Sequence, residues 1–265
     1  MLYLEYWHLK RAPFENVPDP NFLYYTAQHK EALARMAYAA ESKKGAAMLT
    51  GEAGSGKTTL SRAFIRQLPE NQYDMSLVVN PNMSREDLLR EILYQFDVKT
   101  PDHSKSDLLH GLNERIIQNM QRDRHTIIIV DEAHSITDEA TYEELRLLLN
   151  FQMNERFLLT LILIGQDELR TRVARIPQLG QRISIKAHLS PLDFTETVNY
   201  IFFRLKKAGL EQNLFSKEAL ELIFQASGGL PRQINTICDL CLLDAFNAGA
   251  SMINSAVVKK VIQEI

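Results

Sequence analysis

Residues 51–58 read GEAGSGKT and stand between the apolar run AAMLT at 46–50 and a helical pattern over 57–67. The octapeptide fits G-x-x-x-x-G-K-[ST] at every fixed position, in the strand–loop–helix context that this pattern requires. Its glycines let the backbone turn tightly, so that N–H groups of the loop and of the helix N-terminus can point at an anionic phosphate. The predicted phosphate-binding loop comprises Gly51, Glu52, Ala53, Gly54, Ser55, Gly56, Lys57, Thr58 and Thr59.

Strand and helix patterns alternate after this loop. Short apolar segments follow at 75–80, 126–131, 157–165 and 182–189, and helical patterns separate them. The segment TIIIVD at 126–131 is a continuous apolar run, which is typical of a parallel strand covered on both faces. Because parallel strands need crossover connections, the alternation predicts an α/β fold with right-handed crossovers.

The strand patterns stop after Pro191, and four helical patterns follow. The residues at their predicted starts are Asp193, Ser216, Pro231 and Asn254. We therefore predict two domains. Residues 1–189 hold an extended, aromatic and proline-rich N-terminal segment and the α/β domain, and residues 190–265 form a small all-helical domain.

The composition is that of a folded protein with little net charge. There are 30 Lys and Arg residues against 33 Asp and Glu residues, a formal net charge of −3, and 45% of the residues are hydrophobic. Such a balance gives no electrostatic reason to expect nucleic acid as the main ligand. Only two cysteines occur, Cys238 and Cys241, and their apolar surroundings predict buried thiols in a reducing compartment. Without a signal-peptide or bilayer-spanning pattern, a cytoplasmic location is expected.

A second chemical motif is IIIVDEAH, in which a buried strand ends in two adjacent carboxylates. Asp131 is suited to holding a Mg²⁺ shell together with the Thr58 hydroxyl, and Glu132 to orienting or activating an attacking water. Lys57 would reach the β- and γ-phosphates of a nucleotide. A water-activating carboxylate favours hydrolysis over transfer to an acceptor. GTP is disfavoured because the chain has no N-K-x-D motif.

Polar residues also end two other predicted strands. Gln166 follows the strand pattern LILIG, and Asn80 ends the pattern MSLVVN. At the carboxyl edge of a parallel sheet such residues face the ligand crevice, so Gln166 can contact the γ-phosphate or the lytic water. A simple turn residue is the alternative. Asn80 can contact Glu132 or cap the local backbone, and His134 is interpreted as a local cap or surface residue.

Two arginines stand where they can add positive charge to a phosphate site. Arg182 lies in QLGQRIS just before the last predicted strand, and Arg232 follows a Gly-Gly-Leu-Pro turn at a helix start. Phosphoryl transfer needs cationic charge beyond Lys57 to stabilise its transition state, and another subunit often supplies it. By composition alone, a solvated surface position is the more common place for an arginine, so both interpretations stay open.

The segments GEAGSGKT, IIIVDEAH, LILIGQ, LGQRI and GGLPRQIN occur in the order and at the intervals of an AAA+ ATPase. Together with them, WHLKRAPFENVPDPNFLYYTAQHKEALARMAYA and LRLLLNFQMNERFLLTLILIGQDEL resemble the general secretion pathway protein A (ExeA-type) ATPases. The phage Mu B-like transposition ATPases are relatives of that family. The resemblance covers nearly the whole chain.

This resemblance implies a P-loop AAA+ three-layer domain, in which a parallel five-stranded sheet has the order 5-1-4-3-2. A small C-terminal all-helical lid completes the implied fold. ATP and Mg²⁺ are the implied ligands, and the active sites would lie at subunit interfaces of a homo-oligomeric ring or filament.

The resemblance also implies roles for individual residues. Gln166 would be sensor 1, Arg182 a finger acting in trans, and Arg232 sensor 2 from the lid. Asn80 would be a switch residue for Glu132. The implied adenine pocket contains Tyr25 and His29.

Three functions are compatible with these motifs. The first is ATP hydrolysis that drives or switches assembly of a bacterial secretion or envelope-export machine, with a protein partner that can hold the chain at the inner membrane. The second is an ATP-dependent DNA-binding regulator of transposition. The net charge of −3 mildly disfavours DNA binding, because affinity for DNA comes largely from contacts of Lys and Arg with phosphates. The third is a nucleotide-dependent scaffold with little turnover.

Overall fold

A computed structural model describes residues 2–100, 104–153 and 156–265 of the chain. The chain divides into two compact units, which we term the α/β unit and the helical unit. The α/β unit comprises Ala27–Gly51 and Leu60–Leu189. The helical unit comprises Met1–Thr26, Glu52–Thr59 and Ser190–Ile265. The α/β unit thus ends beside the predicted domain boundary, and the division into two domains remains a prediction.

A five-stranded parallel sheet forms the centre of the α/β unit. Its strands are β1 (Ala46–Gly51), β2 (Tyr73–Val78), β3 (His125–Val130), β6 (Leu159–Gly165) and β7 (Ile183–Leu189). Their order is β2-β3-β6-β1-β7, and each neighbouring pair is parallel. When only these five strands are counted, the order reads 5-1-4-3-2, as expected. Two two-residue strands, β4 (Gln152–Met153) and β5 (Arg156–Phe157), form a separate antiparallel pair that was not predicted.

Every residue of β1, β3 and β6 is buried, as the continuous apolar runs predict. The helices of this unit are α2 (Ala27–Glu41), α3 (Lys57–Gln67, which begins in the loop), α4 (Arg85–Gln95), α5 (Lys105–Gln121), α6 (Glu139–Leu148), α7 (Glu168–Ala174) and α8 (Pro177–Arg182). Ser84 caps α4 and Ser104 caps α5, because each hydroxyl accepts a backbone N–H three residues ahead. Helix α8 was not predicted.

The helical unit is built from α1 (Leu2–Tyr6), α9 (Phe194–Lys207), α10 (Lys217–Ser227), α11 (Pro231–Asn247) and α12 (Ser255–Glu264). Asp193 and Glu196 form a reciprocal capping box at the start of α9. Cys238 and Cys241 are fully buried, as predicted. Burial raises the pKa of the Cys238 thiol and raises that of Cys241 to about 12, so both thiols stay protonated at neutral pH.

The N-terminal segment differs from its prediction. It contains helix α1 and a 3₁₀ turn at Pro20–Phe22 rather than extended chain throughout. Trp7 and Phe14 are buried in the core of the helical unit, and the Trp7 indole N–H donates to the Leu242 carbonyl at 3.0 Å. Such long-range contacts leave no local pattern in the sequence, which is why the segment is predicted to belong with the α/β domain.

Two adjacent glycines after α10 give a matched test of packing. Gly228 and Gly229 have φ angles of +57° and +76°, but only Gly229 is crowded. A Cβ at Gly229 would lie 2.0 Å from the Leu192 carbonyl oxygen, whereas a Cβ at Gly228 meets nothing within 4 Å. We expect Gly229→Ala to lower the free energy of unfolding by about 3 kcal/mol or more, and Gly228→Ala by about 1 kcal/mol. Urea unfolding measures both, and equal losses would contradict the steric argument.

Candidate active site

The phosphate-binding loop connects β1 to α3. Gly54 and Gly56 adopt φ angles of +82° and +97°, which side chains disfavour. The Lys57 side chain is buried, and its Nζ donates to the Glu52 carbonyl at 2.8 Å. Ser55 is buried as well, and its Oγ has no hydrogen-bond partner within the described chain. A buried hydroxyl without a partner, beside a lysine and a helix N-terminus, fits an anionic phosphate group.

The remaining loop residues lie where the motif predicts. Gly51 is the last residue of β1, and Glu52 and Ala53 follow it. Thr58 and Thr59 lie in the first turn of α3, so their hydroxyl groups belong to the N-terminal end of that helix.

Arg232 lies against this loop within the helical unit. Its backbone N–H donates to the Gly54 carbonyl at 3.3 Å, at the start of α11. A Cβ at Gly54 would be only 2.7 Å from the Arg232 Cβ, so the glycine permits this close approach. The structure therefore brings Arg232 and the loop together.

The two carboxylates follow β3 in the α/β unit. Asp131 is 2% exposed, and its Oδ1 accepts the Glu132 backbone N–H at 2.9 Å. The Asp131 backbone N–H donates to Val78 of β2 at 2.8 Å. Glu132 has a φ of +52°, a strained value for a residue with a side chain, and 43% of its side chain is exposed. Asp131 is thus held rigidly, whereas the carboxylate of Glu132 is accessible to solvent.

His134 connects the ends of two neighbouring strands. Its Nδ1 accepts the Gln166 backbone N–H at 3.2 Å and lies 3.4 Å from a carboxylate oxygen of Glu132. A Cβ at Gly165 would approach the His134 backbone N to 3.1 Å, so glycine also permits this contact. From the sequence, His134 is predicted to be a local cap or surface residue. Its contact with Gln166 depends on the pairing of β3 with β6, which the local sequence does not reveal.

Asn80 does not end a strand, so that prediction is wrong. Strand β2 ends at Val78, where its pairing with Val130 of β3 also ends. The chain continues as exposed loop through Val79 and Asn80. Within the described part of the chain, no hydrogen bond joins Asn80 to Glu132.

The remaining candidates are Tyr25, His29 and Arg182. Tyr25 is 37% exposed in the helical unit, and His29 is buried in α2 of the α/β unit. Arg182 is the last residue of α8, and its Nη1 donates to the Leu149 carbonyl at 3.2 Å. Its guanidinium carbon lies 5.7 Å from the centre of the Phe157 ring. Arg182 is therefore held by contacts within its own unit.

Among the described residues, no helix combines the length and apolar character needed to cross a membrane. No cluster of three or more His, Cys, Asp or Glu side chains among them could hold a metal ion.

Comparison with known proteins identifies similar chains. The model of the AAA domain family matches residues 40–173. General secretion pathway protein A of Aeromonas hydrophila is 36% identical over 255 residues, which are 95% of this chain and 46% of that protein. The chain thus spans about half the length of this relative.

Two solved structures have the same fold. Cdc6p of Pyrobaculum aerophilum matches with a TM-score of 0.76 at 17% identity, over 96% of this chain and 70% of that one. The ORC2 protein of Aeropyrum pernix, solved as ADPNP–ADP complexes, matches with a TM-score of 0.72 at 20% identity, over 96% and 72%.

Proposed function

This chain belongs to the AAA domain family, and we propose that it hydrolyses ATP with Mg²⁺ to drive or switch assembly of a bacterial secretion or envelope-export machine. One observation supports nucleotide binding above all. In the phosphate-binding loop, the buried Ser55 hydroxyl has no hydrogen-bond partner within the described chain, and it lies close in sequence to the buried Lys57. The proposed role in secretion is supported by the name of the relative from Aeromonas hydrophila, general secretion pathway protein A. The chain would act in the cytoplasm, held at the inner membrane through a protein partner.

We assign the chemistry to residues at the ends of β1, β3 and β6. Lys57 stabilises the negative charge of the β- and γ-phosphates, and the loop N–H groups bind the phosphate oxygens. Glu132 orients a water and accepts its proton as the oxygen attacks the γ-phosphorus. The bond from the γ-phosphorus to the ADP oxygen then breaks. Gln166 holds the γ-phosphate or the water.

Other residues bind the metal ion and the rest of the nucleotide. Thr58 and Asp131 would hold Mg²⁺, which neutralises phosphate charge when bound with ATP. Arg232 of the helical unit senses the γ-phosphate. The hydrogen bond from its backbone N–H to the Gly54 carbonyl supports this role, because it holds residue 232 at the loop. Tyr25 and His29 contribute to the adenine pocket.

The function is tested by measuring the ATPase rate per subunit against protein concentration, with Glu132→Gln as the blank. We expect the rate to rise with concentration, because active sites shared between subunits form only on assembly. Turnover no higher than the blank would contradict hydrolysis and favour a nucleotide-dependent scaffold. A rate that appears only with DNA would favour the DNA-binding regulator.

The trans role of Arg182 predicts that two inactive variants restore each other. Arg182→Ala and Glu132→Gln each inactivate every site of their own oligomer. In an equal mixture, roughly a quarter of the interfaces join an intact Glu132 to an intact Arg182, so activity should return. Mixed-oligomer ATPase assays measure this recovery.

The control for this experiment is Arg175→Ala, which removes a nearby exposed arginine at the end of α7. It should keep the native rate and unfolding temperature. An inactive mixture of folded, co-assembling variants would place Arg182 in the site of its own subunit.

A further inference from the structure

A groove in the α/β unit takes no part in the proposed ATP site. It encloses about 630 Å³, within the size range of ligand sites. Strands β1 and β7 form one side of it, helices α7 and α8 another, and Arg35 of α2 reaches it at the edge of the sheet. The groove therefore draws on five elements of one unit.

Strand pairing places its polar side chains on one face. Met48 is in register with Lys186, and Thr50 with His188, so these four side chains share a face of the parallel pair. The Thr50 hydroxyl lies 3.1 Å from His188 Nδ1 and accepts the Nε–H of Arg170 at 3.0 Å. Arg170 is thereby anchored at the groove from α7.

The charge of the groove is positive, in contrast to the net charge of −3 for the whole chain. Arg35, Arg170 and Lys186 line it, and its described lining includes no carboxylate. Asp167 nearby lies 3.9 Å from Arg170 and 3.5 Å from the Nδ1 of His188, and Glu31 pairs with Arg35, so the two arginines are partly neutralised. Lys186 is exposed and forms no ion pair with any described residue. It is the cation most available to a ligand.

The uncharged lining is mainly aliphatic. It includes Met48, Val173, Ala174 and Pro177, and no Phe, Tyr or Trp is among its described residues. The bases of a single strand bind by stacking on aromatic rings, so this lining does not suit a single-stranded nucleic acid. It suits short aliphatic groups carried beside carboxylates.

We propose that the groove binds an acidic peptide segment of a protein partner. The cations come from three different elements, α2, α7 and β7, so they line more than one wall of the groove. Lys186 and His188 are two residues apart on one face, so a segment in extended conformation can meet them with alternate acidic side chains. Its aliphatic side chains would pack on Met48 and Val173.

The test uses a short fluorescein-labelled peptide of alternating Glu and Val and its Gln–Val counterpart, with the full chain and no nucleotide. Fluorescence anisotropy should show at least about tenfold tighter binding of the acidic peptide, weakening with added salt. Lys186→Glu should weaken it by at least about tenfold, and Lys186→Arg should preserve it. The control is Lys259→Glu, which changes the net charge by the same amount as Lys186→Glu. Lys259 lies in α12 and does not line the groove, so this variant should bind the acidic peptide as the native chain does.

Three results would overturn the proposal. The first is equal affinity for both peptides, and the second is an affinity for the acidic peptide that Lys186→Glu leaves unchanged. The third is that free glutarate displaces the acidic peptide and binds as tightly as the peptide does, which would assign the groove to a small acid. Because nucleotide is absent, none of these results bears on the ATPase rates. A failure here is thus distinct from a failure of the proposed ATPase function.

Discussion

Replacing Glu132 with Gln should lower the ATPase rate by about 100-fold or more while leaving ATP affinity within a few-fold of the native value. Glutamine keeps the size of the side chain and a hydrogen-bonding oxygen, but it cannot accept the proton of the attacking water at neutral pH. The change is therefore confined to the chemical step. Phosphate-release kinetics and binding of a fluorescent ATP analogue measure the two quantities separately.

The contacts around Glu132 indicate that Glu132→Gln leaves the local backbone unchanged. Asp131 accepts the backbone N–H of residue 132, not its side chain, so the backbone position survives the change. The side chain is 43% exposed, and the left-handed φ of +52° is equally available to Gln. Glu139→Gln is the matched control, because it removes an exposed carboxylate in the first turn of α6. A native rate in Glu132→Gln would mean that another group activates the water.

The sequence predicted the parts of the fold that local patterns specify. The loop motif located β1 and α3, and the apolar runs located β3 and β6. The predicted bounds of β2, 75–80, lie two residues too far along the chain. The apolar Val79 extends the pattern past Val78, but the strand stops where its pairing with β3 ends. Helix α8 has only six residues and an internal Gly180, which leaves too little periodicity to detect.

The same limit applies to the site. Glu132, Gln166 and the loop lysine follow from motifs that are local in the chain. The bond between His134 and Gln166, by contrast, joins residues 32 positions apart, and it exists because β3 and β6 are neighbours in the sheet. The contact between Arg232 and Gly54 is also long-range, and only the glycine in the motif hints at a close approach there.

Replacing Lys57 with Ala should weaken ATP binding by roughly 30-fold to several thousand-fold, because losing a buried, hydrogen-bonded partner of a charged group costs about 2–5 kcal/mol. Lys57 is 4% exposed, so little solvent screens its attraction to the phosphates. Its Nζ also donates to the Glu52 carbonyl, and alanine leaves that acceptor with one bond fewer. A loss of stability must therefore be separated from a loss of binding.

Isothermal titration calorimetry with ATP and Mg²⁺ measures the affinity, and thermal unfolding without nucleotide measures the cost to the fold. Lys30→Ala, which removes an exposed lysine of α2, is the control and should change neither quantity. If Lys57→Ala lowers the unfolding temperature yet binds ATP as tightly as the native chain, the lysine serves the loop and not the phosphates. If affinity falls while the unfolding temperature holds, the Ser55–Lys57 end of the loop is the phosphate site.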